Sequence, residues 1–213
     1  MVALIAGSTG LVGGFLLKQL VDSNQYTEIV SLVRKPGNKP NHKVKELVIN
    51  FDQLSDIEGL KDHIDVVFCC LGTTMKQAGS KSEFFKVDYE YVLELGKLAK
   101  IKNAHTFVLN SALGADKNSV FYYNRVKGQI EAALGELNFP NLIIVRPSLL
   151  LGKRIKERLG EKIGAFLFKF FSFIFIGSLK KYKAVSAENV AKSMFKASLK
   201  KGNLIIESDF IDQ

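Results

Sequence analysis

The sequence predicts an α/β fold built on a doubly wound parallel sheet, and three observations predict it. Strand-forming residues, Val2-Ala3-Leu4-Ile5-Ala6, run directly into a glycine turn, Gly7-Ser8-Thr9-Gly10-Leu11-Val12-Gly13. Leu11, Phe15, Leu16, Leu17 and Leu20 then recur at helical spacing. Further short apolar runs follow at 28–33, 45–50, 65–72, 105–110 and 142–147, with helix-patterned stretches among them. That alternation belongs to a parallel sheet, and a strand, tight turn and helix at its start open a Rossmann-type nucleotide-binding unit.

The glycines of the opening turn let the backbone bend sharply and approach a pyrophosphate with no side chain in the way. The following helix offers the anion its free N–H groups and the positive end of its dipole. The spacing Gly7-x-x-Gly10-x-x-Gly13 departs from the G-x-G-x-x-G of the standard dinucleotide fingerprint. A structural turn would also use glycines. Its place between a strand and an amphipathic helix assigns Gly7, Ser8, Thr9, Gly10, Leu11, Val12 and Gly13 to a cofactor site.

The second strand, 28–33, ends in Arg34-Lys35. An acid at that point would bind the ribose 2′-hydroxyl of NAD, whereas a cation suits the extra phosphate of NADP. NADP is therefore expected ahead of NAD, the alternative being two solvated loop cations. After the third strand, Asp52 is placed to accept from an adenine amino group or to cap the next turn. The buried strand at 65–72 breaks at Leu71-Gly72-Thr73-Thr74, expected beside the cofactor because ligands sit outside the carboxyl ends of parallel strands.

Residues 82–101 read as a helix with Phe85, Tyr89, Val92, Leu93, Leu95 and Leu98 on its apolar stripe. A fifth strand ends at Ser111. The helix after it runs to near Leu137 and carries Tyr123 and Lys127 four apart, hence on one face. The sixth strand closes at Arg146-Pro147. Ser186 is a plausible N-cap of a late helix with Asn189 at its third position, expected to return onto the sheet, and Leu204-Ile205-Ile206 suggest a last short strand.

With 213 residues, 47% of them hydrophobic, the chain can bury a proper core within one domain. That domain divides into a cofactor-binding core at 1–152, a substrate-side lobe or lid at 153–185, and a helix and strand at 186–213. The first strand starts at residue 2, so no signal peptide is expected before it. No uninterrupted apolar run reaches the length of a membrane span. Cys69 and Cys70 are neighbours on a strand and point to opposite faces, so buried free thiols and a cytoplasmic setting are expected.

Residues 153–201 hold 13 Lys or Arg against three Glu, more positive than the whole chain at +9. A solvated helical face is the expected use of this charge, ahead of nucleic-acid, membrane or acidic-protein contact. Residues 163–176 contain six phenylalanines interrupted by Lys169. A lid or core helix is the first reading, then an interface for a protein partner or homodimer, and last a membrane surface.

Taken together, the glycine turn, Ser111 and Tyr123-x-x-x-Lys127 resemble an atypical short-chain dehydrogenase/reductase, as does Arg146-Pro147-Ser148 followed by Gly152. More narrowly, Phe68-Cys69-Cys70-Leu71-Gly72-Thr73-Thr74, Val87-Asp88-x-x-Tyr91-Val92-Leu93, Gly114-Ala115-Asp116-Lys117-x-Ser119 and Val126-Lys127-Gly128 are similar to the Tat-interacting oxidoreductase family, in order from about residue 2 to 152. That family is described both as an NADP-binding reductase and as an interaction protein in transcription and nuclear import. The family pattern has serine at both positions around the end of strand five, where this chain reads Asn110-Ser111.

The resemblance implies NADP-dependent oxidoreduction of a small carbonyl or alcohol. A free tyrosine titrates near pH 10, and a nearby ammonium lowers that value, which suits Tyr123 to general acid–base work. Lys127 would supply the ammonium and hold the nicotinamide ribose, Ser111 would hydrogen-bond the substrate oxygen, and Arg146 and Pro147 would flank the cofactor. Tyr122 is a rival acid without a lysine four positions on. The other expectation is a non-catalytic NADP-binding, redox-sensing interaction module.

Overall fold

Residues 1–37, 41–57, 59–151 and 183–211 are described by the structure, a computed structural model. Seven short runs of apolar residues become strands of one sheet. They are β1 (Val2–Ala6), β2 (Glu28–Val33), β3 (Val44–Val48), β4 (Val66–Cys69), β5 (Thr106–Asn110), β6 (Asn141–Arg146) and, after a two-stranded pairing of β7 (Leu150–Leu151) with β8 (Val185–Ser186), β9 (Leu204–Glu207). The large sheet runs in the order β3-β2-β1-β4-β5-β6-β9, every neighbouring pair parallel. All seven expected strands are present. The β7–β8 pairing was not expected, because two-residue strands carry no periodicity.

Helices cover both faces, which is why the central strands are apolar on successive residues rather than alternating. On one face Leu4, Ala6, Val67, Cys69, Phe107 and Leu109 pack against α4 (Tyr91–Ile101) and α5 (Tyr122–Glu136) through Val92, Leu95, Ile130 and Leu134. On the other, Ala3, Ile5, Phe68, Val108 and Ile143 meet α1 (Leu11–Asp22) and α6 (Ala187–Ser198) through Leu16, Leu20, Val190 and Met194. Cys69 and Cys70 are free and fall on opposite faces, as neighbours on a strand must. Burial pushes the Cys69 thiol up to about 12. Tyr26, fully buried, ties the sheet to α6 through its hydroxyl at 2.9 Å from Ser198 Oγ.

The helix expected over 82–101 is interrupted. After two short helices, α2 (Met75–Ala78) and α3 (Lys81–Phe85), a π turn at Lys86–Glu90 leads into α4. The Phe-rich run at 163–176, and with it most of the basic segment and of the expected lid, lies outside the described residues.

Ser186 caps α6 as expected, accepting the Asn189 N–H at 3.0 Å. Ser186→Ala should therefore cost about 1 kcal/mol of stability, read as a lower midpoint in urea denaturation with unchanged slope.

Candidate functional site

Strand order reverses between β1 and β4, and a parallel sheet opens a crevice where its order reverses. The Cys70 N–H donates to Ala6 O at 2.8 Å, so the two strand ends are locked side by side beneath that crevice. Gly7 leaves β1 with φ +88°, and a Cβ on it would stand 2.5 Å from Cys70 O. A Cβ on Gly13 would stand 2.1 Å from Gly7 O. Both positions exclude side chains outright. Gly10, the N-cap of α1, supplies no side-chain hydrogen bond, and no acid occupies the first helical turn. The start of α1 thus keeps its N–H groups and dipole for an anion, and the close-packed glycine turn is the cradle a pyrophosphate fits.

Within that turn Ser8 uses its hydroxyl inward, 2.8 Å from Ser31 Oγ, leaving its backbone to a ligand, while Thr9 is exposed, Leu11 half-buried and Val12 buried. Arg34 and Lys35 stand exposed at the end of β2. Asp52 does not cap the turn that follows β3, since Asn50 does so by accepting the Asp52 N–H at 3.1 Å. Its carboxylate Oδ1 takes the Lys86 ammonium and the Tyr91 hydroxyl, each at 2.7 Å, which together hold Asp52 below the usual carboxylate range.

After β4 the chain passes through Leu71-Gly72-Thr73-Thr74 at the other lip of the crevice. Thr74 caps α2 by accepting the Gln77 N–H at 3.2 Å and lines a cavity of about 1030 Å³. Ser111, Tyr123, Arg146 and Pro147 line the same cavity. Tyr123 is 36% exposed there, its ring 5.4 Å from that of Phe84. Tyr122 turns away, donating its hydroxyl to Lys81 O at 2.9 Å, and loses its claim as the rival acid.

Lys127, one turn along α5, is buried and pairs with Asp88 Oδ1 at 2.7 Å. Burial alone would lower the lysine; the Asp88 carboxylate reverses this and holds it above the usual range. Asp88, 0% exposed, comes from the π turn at Lys86–Glu90. As a functional candidate it was missed. A regular 3.6-residue period conceals a π turn, and the one available signal was its place in the Val87-Asp88 motif.

A second cluster was also missed. Ser111 donates its hydroxyl to Glu131, a buried carboxylate one turn beyond Lys127 on α5. Arg146 grips Glu131 through Nη2 at 2.6 Å and Nε at 3.2 Å, and reaches Glu207 at 2.8 Å through Nη1. Arg146 thus orders the wall carrying Ser111, with its guanidinium already committed to two carboxylates. Asn110 leaves its Oδ1 buried without a hydrogen-bond partner among the described residues.

The model of the NAD(P)H-binding family matches residues 7–160, most of the chain and all of this geometry except Ala6 and Glu207. The chain belongs to the NAD(P)H-binding family. Its relatives include Protein HTATIP2 of Rattus norvegicus, 38% identical over 160 residues that cover 74% of this chain and 66% of the rat protein. Protein FMP52, mitochondrial, of Debaryomyces hansenii is 36% identical over 197 residues, 90% of this chain and 85% of that one. Both bear out the resemblance carried by the residue 68–74 and 126–128 motifs.

Among solved structures, MoeE5 in complex with UDP-glucuronic acid and NAD has a TM-score of 0.71 at 14% identity, covering 97% of this chain and 76% of its own. Helicobacter pylori ADP-L-glycero-D-manno-heptose-6-epimerase has a TM-score of 0.70 at 19% identity with the same coverage. They share with this NAD(P)H-binding protein a Rossmann-type α/β fold. Among the described residues no helix is long and apolar enough to cross a membrane.

Glu131→Ala strands Arg146 beside a buried gap and should destabilise the protein by about 3 kcal/mol. Glu207→Ala, which removes the more exposed partner, should cost less than about 1 kcal/mol. Paired urea denaturation curves measure the contrast; equal losses would contradict the assignment of Glu131 as the structural anchor.

Proposed function

We propose that the protein is an NADP-dependent oxidoreductase of the short-chain dehydrogenase type, acting on a small carbonyl or alcohol. The observation that carries this reading is Tyr123 on the cavity wall with Lys127 one turn behind it, beside the crevice of the glycine turn. Gly7, Gly10 and Gly13 with the start of α1 would hold the pyrophosphate. Arg34 and Lys35 would meet the 2′-phosphate, Asp52 the adenine, and Leu71–Thr74 the middle of the cofactor. Bound there, the nicotinamide supplies or accepts the hydride.

The chain's own residues manage the proton and the orientation. Tyr123 Oη gives its proton to the substrate oxygen in reduction and takes it back in oxidation. Lys127 stabilises the phenolate left behind and holds the ribose hydroxyls. Ser111 keeps its lone pairs for an incoming hydroxyl, and must turn its proton from Glu131 to serve a carbonyl oxygen. A cavity of about 1030 Å³ leaves room for a nicotinamide and a small substrate together. Free Cys69 and Cys70 suit a reducing compartment, and the cytoplasm is the location we propose, although the relative FMP52 is named mitochondrial.

Tyr123→Phe should lower turnover by a factor of about 10²–10⁴ while sparing cofactor affinity, measured as NADPH oxidation across a panel of small aldehydes and ketones. Unchanged turnover would sink the mechanism. Cofactor binding with no turnover of any panel member is what the non-catalytic interaction module predicts.

Arg34→Ala should weaken NADPH binding about ten- to a hundredfold, the worth of one charge-assisted contact, and leave NADH binding unaltered. Calorimetric titration reads both ligands. Equal effects on the two would contradict the 2′-phosphate assignment.

A further inference from the structure

Asp88 and Lys127 are the two most deeply buried charged side chains among the described residues, and they form one pair. Of the two carboxylate oxygens, Oδ1 is ion-paired but makes no hydrogen bond among the described residues, and Oδ2 is hydrogen-bonded. Oδ1 lies 2.7 Å from the Lys127 ammonium on α5, and Oδ2 accepts the Thr73 backbone N–H at 2.8 Å from the loop after β4. The π turn at Lys86–Glu90 is what brings Asp88 inward, by breaking the helical ladder between α3 and α4. Residue 72 belongs to the same fit, since a Cβ there would stand 3.4 Å from Asp88 Oδ1 and 3.7 Å from Lys127 Nζ.

The other titratable groups facing the ammonium are Tyr123, one turn earlier on α5, and Cys69 on β4. Cys69, pushed up to about 12 by burial, remains a neutral thiol and offers no compensating charge. An ammonium so enclosed discharges unless an anion sits against it.

We propose that Asp88 is the positioning residue of this site: it keeps Lys127 charged inside the fold and fastens that charge, through Thr73, to the loop that lines the cofactor crevice. Asp88 touches neither substrate nor cofactor and acts through Lys127 and the loop. The use of the charge rests on the cofactor reading above; its existence does not.

The test compares wild type with Asp88→Asn by NMR of isotope-labelled lysine side chains through an alkaline titration, the Lys127 resonance being identified by its loss in Lys127→Met. Lys127 should stay charged above the ordinary lysine range in the wild type and discharge below that range in Asp88→Asn. NADPH affinity of the variant should then fall as pH rises, by up to about tenfold per pH unit above the lowered pKa, where wild type holds steady.

Lys127 titrating in Asp88→Asn as it does in wild type overturns the proposal. So does a discharged Lys127 with NADPH affinity equal to wild type, the result for a merely structural ion pair. Absence of NADPH binding to wild type contradicts the proposed function instead, and the resonance, read without cofactor, still decides whether Asp88 holds the charge. Should Asp88→Asn fail to fold, Asp88→Ser removes the charge in a smaller side chain and is read by the same two measurements, with the same outcomes overturning the proposal.

Discussion

Backbone meets backbone at the end of the first strand with no space for a side chain, and the rest of the molecule is arranged around that contact. Gly13 in α1 closes on the Gly7 carbonyl, and Gly7 in turn closes on the Cys70 carbonyl at the end of β4. Three elements, β1, α1 and β4, are thereby drawn together at the one place where the sheet reverses its order. Their approach fixes where α1 begins and what its N-terminus faces. A larger residue at either glycine would separate strand from helix and fill the space where a dinucleotide phosphate belongs.

Downstream of that contact, charge is organised into two groups with different work, one buried and one centred on the buried Glu131. Asp88 with Lys127 links the π turn to α5 behind Tyr123. Glu131 with Arg146 and Glu207 links α5 to β6 and β9, and holds the Ser111 hydroxyl. Burying such charges costs several kcal/mol each unless they are paired, and an apolar replacement would be no less stable. Each group is understood through what it positions: one holds Lys127 one turn behind Tyr123, the other holds Ser111 and the wall that carries it.

Much of this was legible in the amino-acid sequence because it depends on local pattern. Seven strands followed from apolar runs and their punctuation, and the Ser186 cap from residue type and spacing. Asp88 was hidden because the π turn adds a residue that a 3.6-residue period absorbs without trace. Glu131 was nearer to hand, since Tyr123, Lys127 and Glu131 recur every four residues and so share one face of α5. The partners of Asp52 and Arg146 lie 15 to 61 residues away in sequence, where no spacing rule reaches.

The central claim is that the crevice above Gly7 and Gly13 holds a phosphorylated nicotinamide dinucleotide in working order. Calorimetric titration of the purified wild-type chain with NADPH and, separately, NADH tests it most directly. Saturable binding of one NADPH per chain, tighter than NADH, is the predicted result. Heat from neither ligand would mean that the glycine turn is kept for packing alone, and the account of the site would fall with it.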